Sequence, residues 1–196
     1  VPIEHIILPS QHALQKLKAG NFCKLWYFTN DGLTDAEQSG ACALNGNYLT
    51  LSQTPDGMPS FIPAVITKDK TPVIQDENLP WEQFEQAVLH MIEAMQDQEW
   101  REDCIEMHLK FWMALENHPW QHSHSKYSPK ALLHYQGQQH CRWHQLVATP
   151  KAFSLTELEQ ELIKQAHKHL IHQEKVNEIQ KLNLVHVSTS PSSPHN

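Results

Sequence analysis

Apolar residues recur at steps of three and four over Trp81, Phe84, Val88, Met91, Ile92 and Met95, the spacing that lines one face of a helix. Pro80 suits the first turn, where its missing N–H leaves nothing unpaired, and the helix is predicted to end near Gln98. A second stripe of Ile105, Leu109, Trp112 and Met113, with His108 a further inward candidate, predicts a helix over about Arg101–Asn117 that His118-Pro119 breaks. Leu132, Tyr135, Trp143 and Leu146 mark the buried side of a third helix, capped by Ser128 with Pro129 at its first position and ended by Thr149-Pro150. Ser154-Leu155-Thr156-Glu157 reads as a capping box, in which each terminal side chain satisfies a backbone N–H of the other. It is predicted to open the longest helix, about Leu155–Leu184, with a seam of Leu155, Leu158, Leu162, Ala166, Leu170, Val176 and Ile179.

The first eighty residues are less periodic. An extended arm over Val1–Leu8 leads to a short helix over about Gln11–Ala19, which Gly20 stops. Asn21–Gly32 (NFCKLWYFTNDG) concentrates large side chains between two turn signals and is expected to be extended or a strand. Thr34 can cap a brief helix over Asp35–Ser39, and Tyr48–Ser52 reads as a strand. From Pro55 to Pro80 the recurrent prolines predict a chain running extended over an apolar surface. The expected fold is mainly α: a core of about four helices, an N-terminal helix and short extended or strand segments. Residues 1–184 would form one domain, a mixed part (1–79) followed by the helical core (80–184), and the Ser/Pro-rich tail 185–196 would be disordered.

Composition narrows the function classes. A formal charge of −7 with neutral histidines argues against constitutive binding of a phosphate backbone, so nucleic acid is not an expected partner. Fifteen histidines qualify this, because protonating all of them would carry the charge from −7 to +8. The apolar runs fall short of the roughly 20 residues that a membrane span needs. Cys23, Cys42, Cys104 and Cys141 form no CxxC pair, and neither a signal peptide nor an Asn-x-Ser/Thr sequon accompanies them. Reduced thiols are expected, hence an intracellular location, with cytoplasm and nucleus left open.

The third helix carries the sharpest candidate chemistry. His140 and His144 are four residues apart, so both imidazoles lie on one helical face and can chelate a metal such as zinc if one or two more ligands arrive. His122 and His124, in the loop Trp120–Lys126, are the expected sources. The HExxH pattern is absent and no acidic residue neighbours the pair in sequence, so structural or surface histidines are the plainer reading. His167, His169 and His172 share no single face and read as solvated. Cys141 follows His140, yet adjacent helical residues point apart and make no dyad. Gly-x-Ser-x-Gly, P-loop and dinucleotide fingerprints are missing. Trp26, Tyr27 and Phe28 would suit a stacking platform, but only Lys24 supplies local charge, which favours core packing.

Leu17–Gly32 (LKAGNFCKLWYFTNDG), with the Pro55–Pro80 segment, Trp81 with Phe84, and Arg142–His144, resembles a set of uncharacterised proteins repeated in the genomes of mushroom-forming fungi and associated with mobile elements. The resemblance spans roughly Ala13 to Leu184 and implies a mobile-element origin, with no catalytic residues to transfer. With no assembled active site in view and a long seam-bearing final helix, the expected function is a non-catalytic interaction or scaffold protein, without a cofactor. Its partner would be another protein or a second copy, engaged through the C-terminal helix. The alternative is a zinc-binding module or metal-dependent hydrolase that uses the histidines.

Overall fold

The computed structural model describes residues 8–44, 49–53, 59–63 and 72–188. The expected arm over 1–7, the stretch 64–71 and the tail after Ser188 lie outside them, as does the Cys42 side chain. Six α-helices occur among the described residues: α1 (Gln11–Lys18), α2 (Asn30–Leu44), α3 (Trp81–Asp97), α4 (Glu102–Glu116), α5 (Tyr127–Leu146) and α6 (Gln160–Ser188). The fold is mainly helical. The backbone of Leu49–Gln53 (β1) pairs antiparallel with Pro59–Pro63 (β2), placing Leu51 opposite Phe61. β1 is offset by one residue from the strand expected over Tyr48–Ser52. The Pro55–Pro80 segment, expected to be extended throughout, contains a 3-10 turn at Asp76–Asn78.

The aromatic stretch is not a strand. Leu25–Phe28 forms a 3-10 turn, and at three residues per turn Leu25 and Phe28 face the same way. Leu25, Trp26 and Phe28 are all buried. Two side chains hold the turn in place. Asp76 Oδ1 accepts the Leu25 N–H at 2.9 Å, and the Phe28 carbonyl accepts His90 Nδ1–H from α3 at 2.8 Å. Ala13 and Leu17 of α1, the aromatic turn and residues of α3 to α5 share one buried cluster that also takes in Leu155 and Ile163. The stretch is therefore core, not a stacking platform.

Thr29, not Thr34, starts the next helix. Its Oγ1 accepts the Gly32 N–H at 3.1 Å and donates to the Trp26 carbonyl at 2.7 Å, so α2 begins at Asn30 and replaces the brief Asp35–Ser39 turn. Gly32 has a steric role here, since a Cβ would lie 2.1 Å from the Trp26 oxygen.

The boundaries of the later helices shift for identifiable reasons. α5 begins at Tyr127, before the expected Ser128 cap, because Ser125 Oγ accepts the Tyr127 N–H at 3.3 Å and Ser128 turns inward. The Ser154–Glu157 box does not open α6. Ser154 instead makes a local turn with Thr156, Leu155 is drawn into the core, and Tyr135 Oη accepts the Glu159 N–H at 2.9 Å just before the helix starts. At the other end α6 continues through Ser188, past the expected limit at Leu184. On α4 the inward face is His108, Phe111, Trp112 and Leu115, whereas Leu109 and Met113 are exposed. No described helix is long and apolar enough to cross a membrane.

Candidate metal centre

His140 and His144 do meet on one face of α5, with their Nε2 atoms 3.2 Å apart. The third partner is His108 of α4. One ring nitrogen from each of the three residues lies within 4.8 Å of the others. His122 and His124 are exposed in the loop between α4 and α5 and do not join them. The physical reason lies in packing. α4 turns His108 into the core with Trp112, four residues on, so the third imidazole comes through the helix interface and not from the adjoining loop. A zinc ion with bonds of about 2.0–2.1 Å needs nitrogens roughly 3.3 Å apart in a tetrahedral shell. The His140–His144 pair already has that spacing, and the third imidazole must close in.

Each ring is oriented through Nδ1. His108 Nδ1 lies 2.7 Å from the Cys104 carbonyl, one turn earlier on α4. His144 Nδ1 lies 2.9 Å from the Gly20 carbonyl, just past the end of α1. A carbonyl oxygen only accepts, so both Nδ1 atoms carry the proton and both Nε2 atoms are bare. His140 Nδ1 faces Asp76 Oδ2 at 3.9 Å. Backbone carbonyls and a carboxylate behind the distal nitrogens are the partners that metal-binding histidines ordinarily have.

Two glycines and a left-handed turn assemble this arrangement. Gly20, at φ 69°, ends α1 so that its carbonyl faces His144. Gly137 sits mid-helix one turn before His140, where a Cβ would lie 3.2 Å from the Asp76 Cβ. Its absence lets the Asp76–Asn78 turn approach α5, bringing Asp76 to His140. After α3, Glu99 adopts φ 55° and the Trp100 N–H returns to the Met95 carbonyl at 3.0 Å. The indole of Trp100 is thereby placed beside His108 and His144, with its Nε1–H donating to the Leu17 carbonyl at 2.9 Å.

The surroundings are aromatic and buried. Trp143 packs edge-on against His108 at 4.7 Å, Trp112 touches His108 and His140, and Phe22 covers His140 and His144. His108 and His140 are both 0 % exposed, and His144 is half-buried. Burial first, and then the neighbouring His140, lowers His108 to about 3; burial lowers His140 to about 3; burial and then His140 lower His144 to about 4. All three are neutral near pH 7, the form that binds metals. Burial raises the Asp76 carboxyl to about 7, against the lowering pull of the Leu25 N–H. With His140 neutral, its contact with Asp76 is not an ion pair.

Several polar atoms in this buried volume have no hydrogen-bond partner: His108 Nε2, His140 Nδ1 and Asp76 Oδ2, and beside them Trp112 Nε1 and the Gln136 amide. In a metal-free state the 3.2 Å contact between His140 and His144 requires the proton on His140 Nε2, because His144 Nε2 is bare. That tautomer strips His140 Nδ1 and leaves it nothing to offer Asp76 Oδ2, while the Cys104 carbonyl, by taking the His108 Nδ1–H, leaves His108 Nε2 bare; each orphan costs about 1–3 kcal/mol.

The remaining candidates stay apart from one another. His167 is half-buried against Trp120 at 4.8 Å, contrary to the solvated reading, while His169 and His172 are exposed. Cys23, Cys104 and Cys141 are free thiols; burial pushes Cys23 up to about 12 and raises the other two, so none is an activated nucleophile. The signals for the missed residues were weak in sequence. Gly137 in mid-helix hinted at a close approach, but nothing marked Asp76 as what approaches it.

Comparison with protein-family models, curated proteins and solved structures returns no match, so the resemblance to the fungal set rests on its motifs alone.

Proposed function

We infer that the protein binds a divalent transition metal, zinc foremost, through Nε2 of His108, His140 and His144. The observation that carries this reading is the set of three buried orphan atoms on His108, His140 and Asp76. A cation at the three Nε2 positions satisfies all of them together. His108 Nε2 gains a bond, His140 moves its proton to Nδ1, and Nδ1–H then donates to a carboxylate Asp76 once the 3.9 Å between them closes. Three imidazoles suit zinc, copper or nickel and give magnesium or calcium no oxygen ligands.

The test is metal titration of the full chain after chelator treatment. One zinc per chain is expected. Asp76→Asn keeps the acceptor for Leu25 but not the carboxylate, and should weaken binding about 10–100-fold. His108→Ala should weaken it further, whereas His122→Ala and His124→Ala should leave it unchanged. Equal affinity in His108→Ala and the unaltered chain would sink the reading.

A second reading, self-association, is favoured by the far end of α6. Lys126 pairs with Glu174 at 3.0 Å, and beyond that point Ile179 and Leu182 are 58 % and 62 % exposed. Glu178 and Lys181 flank these apolar positions and complement themselves in an antiparallel pair. Light scattering should report a dimer that Ile179→Glu with Leu182→Glu converts to monomer. A monomeric unaltered chain at high concentration rejects it.

A further inference from the structure

On the reading that His108, His140 and His144 hold a divalent metal, we propose that the ion keeps one exchangeable coordination position and that this position takes a small anion. The described part of the chain brings together three candidate ligands there and no fourth. Structural zinc sites close their tetrahedron with four protein ligands, whereas a three-ligand site leaves one position to water or another small donor.

What borders the cluster is the second reason. Phe22, Trp100, Trp112 and Trp143 pack on the imidazoles, and their carbon edges and faces offer a metal no lone pair. Such a wall excludes a bulky ligand without replacing a small one. Within it, the buried Trp112 Nε1–H has no acceptor, whereas the Trp100 Nε1–H is taken by Leu17. A ligand that brings acceptor atoms is better matched to this lining than one that brings donors.

Charge gives the third reason. Three neutral imidazoles leave the ion's two positive charges intact, and the Asp76 carboxylate offsets one. The remaining positive charge sits among aromatic rings, where screening is weak, and a single small anion neutralises it.

A cleft borders the cluster at Phe22. It measures about 360 Å³ and is lined by Phe22, Asp76, Gly137, Cys141 and Arg142 among others. Phe22 and Asp76 belong both to this cleft and to the surroundings of the histidines. Phe22 and His144 are only half-buried, so the centre approaches solvent on this side. Arg142 shares the cleft wall with Glu77, so the attraction for an anion comes from the bound ion and not from the cleft.

Cobalt(II) substitution separates this proposal from the reading beneath it. Cobalt bound by three imidazoles and a water absorbs in the visible, so titration of the chelator-treated full chain first reports whether the metal binds. Azide and thiocyanate are then added to the loaded protein. The expected result is a saturable shift of the visible bands with one anion per metal, reversed by dialysis. Cobalt bound with bands that neither anion alters overturns the exchangeable position and leaves the metal reading intact. Failure of cobalt and zinc to bind at all overturns both.

Discussion

Lowering the pH from about 6 to about 4 is expected to cost the metal-free protein roughly 3 kcal/mol of stability per pH unit. The buried histidines set the sign. Their folded pKa values, about 3 for His108 and His140 and about 4 for His144, lie below the ordinary value of 6.5. Over most of this range the unfolded chain therefore holds close to three protons that the folded chain refuses, and the stability present above pH 6.5 is lost on acidification. Asp76 acts in the opposite sense. Its folded pKa of about 7 lies above the ordinary 3.8, so its contribution is present below pH 3.8 and is lost as the pH rises through 7. The proton it holds in the folded state offsets one of the three histidine protons. A net difference of two, at about 1.4 kcal/mol per proton and pH unit, gives the slope. Urea unfolding of chelator-treated protein across this range measures it. A flat profile would mean that the three histidines are not buried as described. Bound zinc should raise stability at pH 7 and steepen the acid loss, because protons then also compete for the ligands.

Replacing Trp26 by alanine is expected to destabilise the protein by about 3–5 kcal/mol, the range for deleting a large buried aromatic. Trp26 is 2 % exposed and packs edge-on against Tyr27 at 5.4 Å. Its carbonyl also receives the Thr29 hydroxyl that caps α2, so the indole anchors a turn on which a helix start depends. The cavity would open beside Leu25, whose N–H is the tie to Asp76. For a chain of this length the loss corresponds to a fall in Tm of roughly 10 °C. An unchanged Tm would reject the packing role and return the aromatic stretch to the surface. Zinc affinity, measured well below the Tm of the variant, should fall less than in Asp76→Asn, because Trp26 touches none of the three histidines.

The aromatic stretch also marks the limit of local reasoning. Its composition announced a core element, but not its shape. β-prone side chains suit a strand, and the 3-10 turn prevails because Asp76, 51 residues away, takes the Leu25 N–H. The capping box at Ser154 failed for the same reason: its local preference was outweighed by burial of Leu155 and by the Tyr135 hydroxyl at Glu159.

By itself the sequence determined what depends on neighbours along the chain. Periodicity placed four long helices after Pro80, Gly20 ended the first helix, and a four-residue step set His140 and His144 on one face. These follow from local geometry, in which 3.6 residues per turn and a left-handed glycine leave few alternatives. Tertiary structure alone decided which histidine completes the set and what stands behind it. His108 arrives across the α4–α5 interface and Asp76 arrives through the gap at Gly137, contacts whose partners lie dozens of residues apart in the chain. Such convergence is a property of packed helices, and no spacing within one helix encodes it. The histidine cluster is therefore half local and half tertiary.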